Sequence, residues 1–510
     1  MKIKMEKSNR LSMSKGICCA VVLLLGVVLC KEANAQLRMN ASLQGWHLKD
    51  KASDNVPGIS LQKAYDFLKE HRYKVNPVIV AVIDNGVDTT HEDLKNVLWR
   101  NNREIAGNGK DDDGNGYVDD VCGWNFLGNK EGKNLTTESS EKDRENQRAY
   151  QSLRSKWDKF DDSSSSSLSV NEQKEYSVWK QASQAINNPA YVSSDSAVSV
   201  MMQLHKSYDK VNKRRKDLVG DNWEDINDRN YGNPTVGAGN PKHGTHVAGT
   251  IAAERNNNLG MDGIADKARI MPIRAIPDGD ERDKDVALSI RYAVDNGARV
   301  VNMSFGKDFS PQKQWVDDAV KYAQAHDVLL IHASGNEGVN VDTSQRYPSP
   351  FFINADYSAT NFITVGASDV KPSALASFSN YGKKVVNVFA PGTNIYATIS
   401  KKNKYEFMDG TSMAAPVVSG IATIIREYFP RLSARQVKYV IEQSVVKPVD
   451  KVTKPGLRRP KGVQPEKVEL NDICTSGGIV NAYEAVKLAA TLKGELSKRA
   501  VKKILKIQKR

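Results

Sequence analysis

Cysteine is scarce in this sequence. Five occur in 510 residues, and Cys18, Cys19 and Cys30 fall within the first thirty, so only Cys122 and Cys474 remain beyond them. That excludes a disulfide scaffold and leaves a single bridge open. Long apolar runs are lacking as well: the stretch Gly16 to Cys30 has fifteen residues, short of the ~20 that span a bilayer. A mean hydropathy of -0.52 and 26% charged residues exclude a bundle of membrane spans, and 40% hydrophobic residues exclude a disordered chain.

Charge of one sign is not spread through the chain. The net +13 falls to +9 once residues 1–35, with six basic and two acidic residues, are set aside. The last twenty residues hold eight Lys or Arg against Glu495 alone. A nucleic-acid surface running through the fold is therefore not expected, and the basic tail, 490–510, reads as a solvated helix. Residues 1–35 read as a secretory signal: Lys2, Lys4, Lys7, Arg10 and Lys15, then the apolar run, then Ala33-Asn34-Ala35. Cleavage before Gln36 is expected, with a secreted or periplasmic product. Contact with a membrane would come through an uncleaved signal or a lipidated Cys30, against which Leu29 and Lys31-Glu32 argue.

What is present is a set of short buried-strand runs. Val78 to Ile83 reads Val-Ile-Val-Ala-Val-Ile, and similar runs lie at Arg269 to Ala275, Arg299 to Met303, Val328 to Ala333, Phe362 to Gly366 and Val385 to Phe389. Between them lie helical patterns such as Val286, Ile290, Ala293 and Val294, or Trp315, Ala319, Tyr322 and Ala323. Alternating strands and helices predict an α/β fold, three layers with a mostly parallel central sheet. Residues 129–235 turn polar, with a serine run at Ser163 to Ser167. Aromatic and aliphatic residues recur there at helical spacing: Tyr150, Leu153, Trp157 and Phe160; Trp179, Ala182 and Ile186; Val198, Met201, Leu204 and Tyr208. A helical insertion is expected, covering a rim of a groove or decorating the surface. The remaining boundaries are a lead-in segment, 36–75, and a main domain, 76–489.

Polar residues after strands of a parallel sheet sit where α/β folds place their sites. Asp84, Ser304 and Ser334-Gly335-Asn336 hold such positions. His243-Gly244-Thr245-His246-Val247-Ala248-Gly249 opens a helix. Two histidines three apart with no Glu between them do not fit a zinc helix, so a general base is the stronger reading for His243. Gly410-Thr411-Ser412-Met413-Ala414-Ala415-Pro416 starts another helix, where backbone N–H groups favour negative charge.

In their order and wording these three segments resemble the subtilase family of serine peptidases, over roughly residues 58 to 488 apart from the insertion. The resemblance implies a subtilisin-like sheet and a secreted endopeptidase acting on polypeptides through an acyl-enzyme. It implies Ser412 as nucleophile, His243 as base and Asp84 as the carboxylate that holds the imidazole. His246 has no such role. Asn336 is implied as an oxyanion donor. Ser304, Phe305, Gly306, Ala333, Ser334 and Gly335 are implied as the substrate edge and pocket wall, and the pocket is expected to carry no fixed charge and to prefer apolar side chains. Two departures stand out: Asn85 where the family has Ser or Thr beside the Asp, and Val417 where a His is common. The 48 residues from Gln36 to Ile83 also leave no room for a separate folded pro-domain.

A catalytically weak relative that binds peptides or envelope components is the alternative. An α/β-hydrolase esterase fails, because Gly410-Thr411-Ser412-Met413-Ala414 lacks the second Gly of the nucleophile elbow. No cofactor is needed for the chemistry. Asp111 to Asp120 presents hard oxygens at alternate positions, Asp111, Asp113, Asn115, the Tyr117 carbonyl and Asp119, with Gly116 at the turn, which suits structural calcium although position twelve is Cys122 and not Glu. Oligomeric state is not legible.

Overall fold

The run Val78–Asp84 forms strand β1, buried along its whole length. The computed structural model describes residues 43–139, 141–158, 160, 168–186, 213–457 and 464–508. The signal-like segment, with Cys30, and the pattern from Val198 to Tyr208 lie outside them. The chain divides into two units, Met1–Trp46 and His47–Arg510; of the first only residues 43–46 are described, and every element of the sheet belongs to the second.

The elements after helix α1 (Leu61–Glu70) and β1 follow the expected alternation. They are β2 (Trp124–Asn125), α2 (Glu141–Trp157), α3 (Val170–Ile186), α4 (Lys242–Ala252), β3 (Ala268–Arg274), α5 (Asp283–Asp295), β4 (Val300–Met303), α6 (Lys313–Ala325), β5 (Leu329–Ala333), β6 (Phe362–Ser368) and β7 (Val388–Pro391). The hairpin β8 (Ile395–Thr398) and β9 (Tyr405–Met408) leads to α7 (Thr411–Tyr428), α8 (Ala434–Gln443), α9 (Ala482–Thr491) and α10 (Lys498–Gln508). Seven strands form one sheet in the order β2-β3-β1-β4-β5-β6-β7, and every neighbouring pair is parallel. From β1 the chain crosses first to β3 on one side and then to β4 on the other. The crevice at that switch lies beyond the carboxyl end of β1.

Side-chain parity then decides which face each residue serves. Ile79, Ala81 and Ile83 pack in the main core with Val286 and Ile290 of α5 and Val316 and Val320 of α6. Val78, Val80 and Val82 point the other way, toward the layer of α4 and α7, and both of those helices contact β1. Asp84 shares that parity, so the strand that dries its environment also aims it at α4.

Within the stretch 129–235, Leu135, Val219 and Tyr231 join the main core and Asn233 pairs back to β2 at Asn125. Its helices α2 and α3 form their own small cluster around Tyr150 and Ala182. Its return is pinned by the buried Arg215, which is bidentate to both Asp221 and Asp285 at 2.8–2.9 Å. Within the lead-in, α1 lies where a helix near Leu61 to Leu68 is expected and packs on α9. Finally, the basic tail is not simply solvated. Val501 and Gln508 are buried, and the Gln508 side chain accepts from Ile79 N and donates to Gly297 O, both at 2.6 Å, while the lysines face outward. Cys122 and Cys474 are both free, so the one possible bridge is not formed.

Candidate active site

Asp84 ends β1 with a side chain only 2% exposed. A carboxylate there needs donors. Its Oδ1 accepts from His243 Nδ1 at 2.8 Å and from the Asn85 backbone N–H at 2.8 Å, while Oδ2 has no partner among the described residues. Asn85 spends its own side chain elsewhere, donating to Asn240 O at 2.9 Å and accepting from Gly244 N at 3.0 Å. It ties the loop after β1 to the start of α4 without supporting the carboxylate. The approach is close enough to require glycine at 244, because a Cβ there would lie 2.2 Å from Gly86 O and 2.9 Å from Asp84 Cβ.

Partial burial alone would lower the His243 pKa, but the charge of Asp84 and its hydrogen bond outweigh it and raise the imidazole above its ordinary 6.5. With Nδ1 committed to Asp84, the neutral ring presents Nε2 as a base. His246, one turn on, is buried, and burial pushes it down to about 3. Its Nε2–H donates to Ile395 O at 2.9 Å, which fastens the β8–β9 hairpin to α4 and gives it a structural role.

Ser412 lies in the first turn of α7 after Gly410, whose φ of 152° favours glycine. Pro416 sits four residues later and has no N–H to give to the Ser412 carbonyl. The Ser304 hydroxyl fills that gap, donating to Ser412 O at 2.9 Å, and it is oriented by Asn302 Nδ2 at 2.8 Å. In return Ser412 Oγ donates to Ser304 O at 3.1 Å. Ser304 therefore braces Ser412 through its side chain and is not among the residues that line the cavity beside Ser412. The Ser412 hydroxyl points to Ser304 and not to His243, so the structure joins Asp84 to His243 but leaves the His243–Ser412 hydrogen bond unmade. Such bonds are often loose before substrate binds.

Asn336 is exposed, and its Oδ1 accepts from Thr411 N at 2.9 Å and from Thr411 Oγ1 at 3.0 Å. A backbone N–H can only donate, so the oxygen must face Thr411. The Nδ2 donor is then left toward the cavity it lines with Ser412. Sequence reasoning missed the partners that set this loop. Thr411 Oγ1 accepts from Gly335 N at 3.1 Å, and Asn380 Nδ2 donates to Ser334 O at 2.8 Å. His332, neutral because burial pushes it down to about 4, donates to Phe305 O at 2.8 Å. Thr411 belongs to the Ser412 segment, whereas Asn380 and His332 belong to no motif.

Phe305, Gly306, Ala333, Ser334 and Gly335 do line a cavity of about 330 Å³ beside Ser412. The expectation of an uncharged pocket is corrected, because Asp280, Lys307, Asp308, Glu337 and Arg346 line it too. These come from loops after β3, β4 and β5 and from residue 346, separations that no local pattern signals.

At the acidic loop, Glu104, Asp111 and Asp113 bring carboxylate oxygens within 4.8 Å of one another. Glu104 was not expected. Asp119, expected as a ligand, instead accepts from the backbone N–H groups of Gly107, Asn108 and Gly109 at 2.7–3.2 Å. Asn115 is likewise turned away: its Oδ1 accepts from Tyr117 N and its Nδ2 donates to Asp120. Burial raises the Glu104 pKa from its ordinary value and the charges of Asp113 and Asp112 push the same way, against the backbone hydrogen bonds from those two residues, which lower it. Arg103 offsets Asp113 at 2.8 Å.

The family model described as "Subtilase family" matches residues 76–464. The chain is similar to a thermophilic serine proteinase of Bacillus sp. (strain AK1), at 40% identity over 215 residues, 42% of this chain and 48% of that protein. It is similar to thermitase of Thermoactinomyces vulgaris, at 33% identity over 281 residues, 54% of this chain and 85% of thermitase. Subtilisin BL of Lederbergia lenta is 36% identical over 208 residues, 41% of this chain and 71% of that protein. The match thus spans about half the length of the first of these relatives.

The Asp84–His243 contact gives a direct test by NMR titration of the imidazole. His243 should titrate above 6.5, and in Asp84→Asn below it, since burial then acts without the opposing charge. A folded value above the unfolded one means that the pair's stabilisation is fully present below pH 6.5 and fades as the pH rises through the raised value. Equal values in the two proteins would contradict the assignment.

Proposed function

The chain belongs to the subtilase family, and on that premise we propose that it is a secreted serine endopeptidase cleaving polypeptides through an acyl-enzyme. The observation that carries the proposal is the 2.8 Å bond from His243 to a buried Asp84, together with Ser412 and Asn336 on one cavity. Ser412 Oγ turns from Ser304 O toward His243, gives Nε2 its proton and bonds to the substrate carbonyl carbon. The charge that develops on the carbonyl oxygen is met by Asn336 Nδ2 and by the Ser412 N–H, which has no intrahelical acceptor in the first turn. The scissile C–N bond breaks as His243 returns the proton to the leaving nitrogen, and water then repeats the sequence on the ester. Asp84 holds the ring through Nδ1 and stabilises the imidazolium that forms. The signal-like start supports an extracytoplasmic product.

Ser412→Ala and His243→Ala should abolish peptide hydrolysis, measured as kcat on a long peptide. Asn336→Leu should lower kcat by ~10²–10³-fold with little change in KM, the scale of removing one oxyanion donor. Activity of Ser412→Ala within tenfold of wild type would contradict the proposal, and a pure KM effect in Asn336→Leu would place that side chain in ground-state binding.

The same reading assigns structural calcium to the acidic loop. Glu104, Asp111 and Asp113 would hold it, because a divalent cation favours the ionised form of a carboxylate that burial and like charges disfavour. Calcium that binds only the folded chain would stabilise it by about 2.7 kcal/mol at a hundredfold excess over Kd. A chelator should therefore lower Tm, and Glu104→Gln or Asp113→Ala should remove most of that shift. No chelator effect on wild type would reduce the loop to an acidic turn.

A further inference from the structure

The cavity beside Ser412 holds an uneven set of charges. Lys307 is already neutralised: its ammonium lies 2.9 Å from Asp283 and 2.8 Å from Glu281 O, with both side chains 2% exposed. What remains on the walls is one guanidinium, Arg346, beside the half-open carboxylates of Asp308 and Glu337. Arg346 pairs with Asp308 and sits 3.2 Å from Glu337. Asp308 and Glu337 keep about half their side-chain surface open, at 48% and 49%, whereas Arg346 keeps 19%. Glu337 is also fixed by Asn380 Nδ2 at 2.6 Å, so it cannot swing away from the wall.

Resting on the peptidase reading, we propose that this cavity selects a substrate with a cationic side chain, Lys or Arg, at the residue whose carbonyl Ser412 attacks. The carboxylates outnumber the resident cation, and the two that flank it still present open oxygen. Arg346 sits 3.2 Å from Glu337 and leaves about half of that side chain open to a second cation. An entering Lys or Arg covers those oxygens from water and strengthens an attraction that solvent otherwise screens. A substrate carboxylate meets the same excess as repulsion, because Arg346 is balanced more than once over. An apolar side chain would cover the carboxylates and offer them nothing.

The test is kcat/KM on peptides identical except for Arg, Lys, Phe or Glu at that residue. Arg and Lys should exceed Phe by roughly tenfold, the size of one partly desolvated charged hydrogen bond, and Glu should be poorest. The double variant Asp308→Asn/Glu337→Gln should bring the Arg-to-Phe ratio near one, and Arg346→Gln should raise it, with fluorophosphonate labelling of Ser412 reporting that each variant is folded. Phe equal to or better than Arg in wild type, or a ratio unmoved by the double variant, would overturn the proposal. Labelling of Ser412 and cleavage without charge discrimination would overturn this proposal alone. A chain that cleaves none of the peptides and takes no label would overturn the peptidase reading and this proposal with it.

Discussion

A carboxylate held at the dry end of a buried strand must find donors, and Asp84 finds them in only two places, the Asn85 backbone and the imidazole of His243. That constraint organises the crevice. It fixes the tautomer of His243, and the close approach it demands leaves no room for a Cβ at Gly244. With the Asn85 side chain bridging to α4, Asp84 Oδ2 has no partner among the described residues, so the hold on the imidazole rests on one oxygen.

The second anchor of the site is a missing donor. Pro416 leaves the Ser412 carbonyl free inside a helix, and the Ser304 hydroxyl occupies it. The chain Ser419 to Asn302 to Ser304 to Ser412 runs from within α7 through β4 and back to its first turn, each bond 2.8–2.9 Å. Strand and helix are thereby locked in register, which places Ser412 without drawing on its own side chain. The loop that carries Asn336 is positioned in the same indirect way, by Thr411 and Asn380.

Much of the fold was legible because parallel strands buried on both faces read as unbroken apolar runs; β1 and β3 to β6 lie where those runs predicted. The strand β2 was not legible, since Trp124–Asn125 has two residues and no periodicity. The core role of Leu135, Val219 and Tyr231 was not legible, because they are isolated apolar residues in polar surroundings and only the fold reveals them as core. The residues of the Asp, His and Ser segments were legible because each segment carries its own local geometry. The charged cavity wall was not: Asp280, Asp308, Glu337 and Arg346 meet only through the convergence of separate loops, and the acidic loop's third carboxylate, Glu104, lies outside the repeat that drew attention to it.

The central claim is that Ser412 is a nucleophile activated by His243 on Asp84. The most direct measurement is covalent labelling by a fluorophosphonate, with mass spectrometry of the modified peptide and the labelling rate followed against pH. The account predicts one adduct, on Ser412, lost in Ser412→Ala, forming at a rate that rises through an ionisation above 6.5 and slows sharply in His243→Ala. A wild-type protein that takes no label, or takes it on another residue with His243→Ala unaffected, would contradict it.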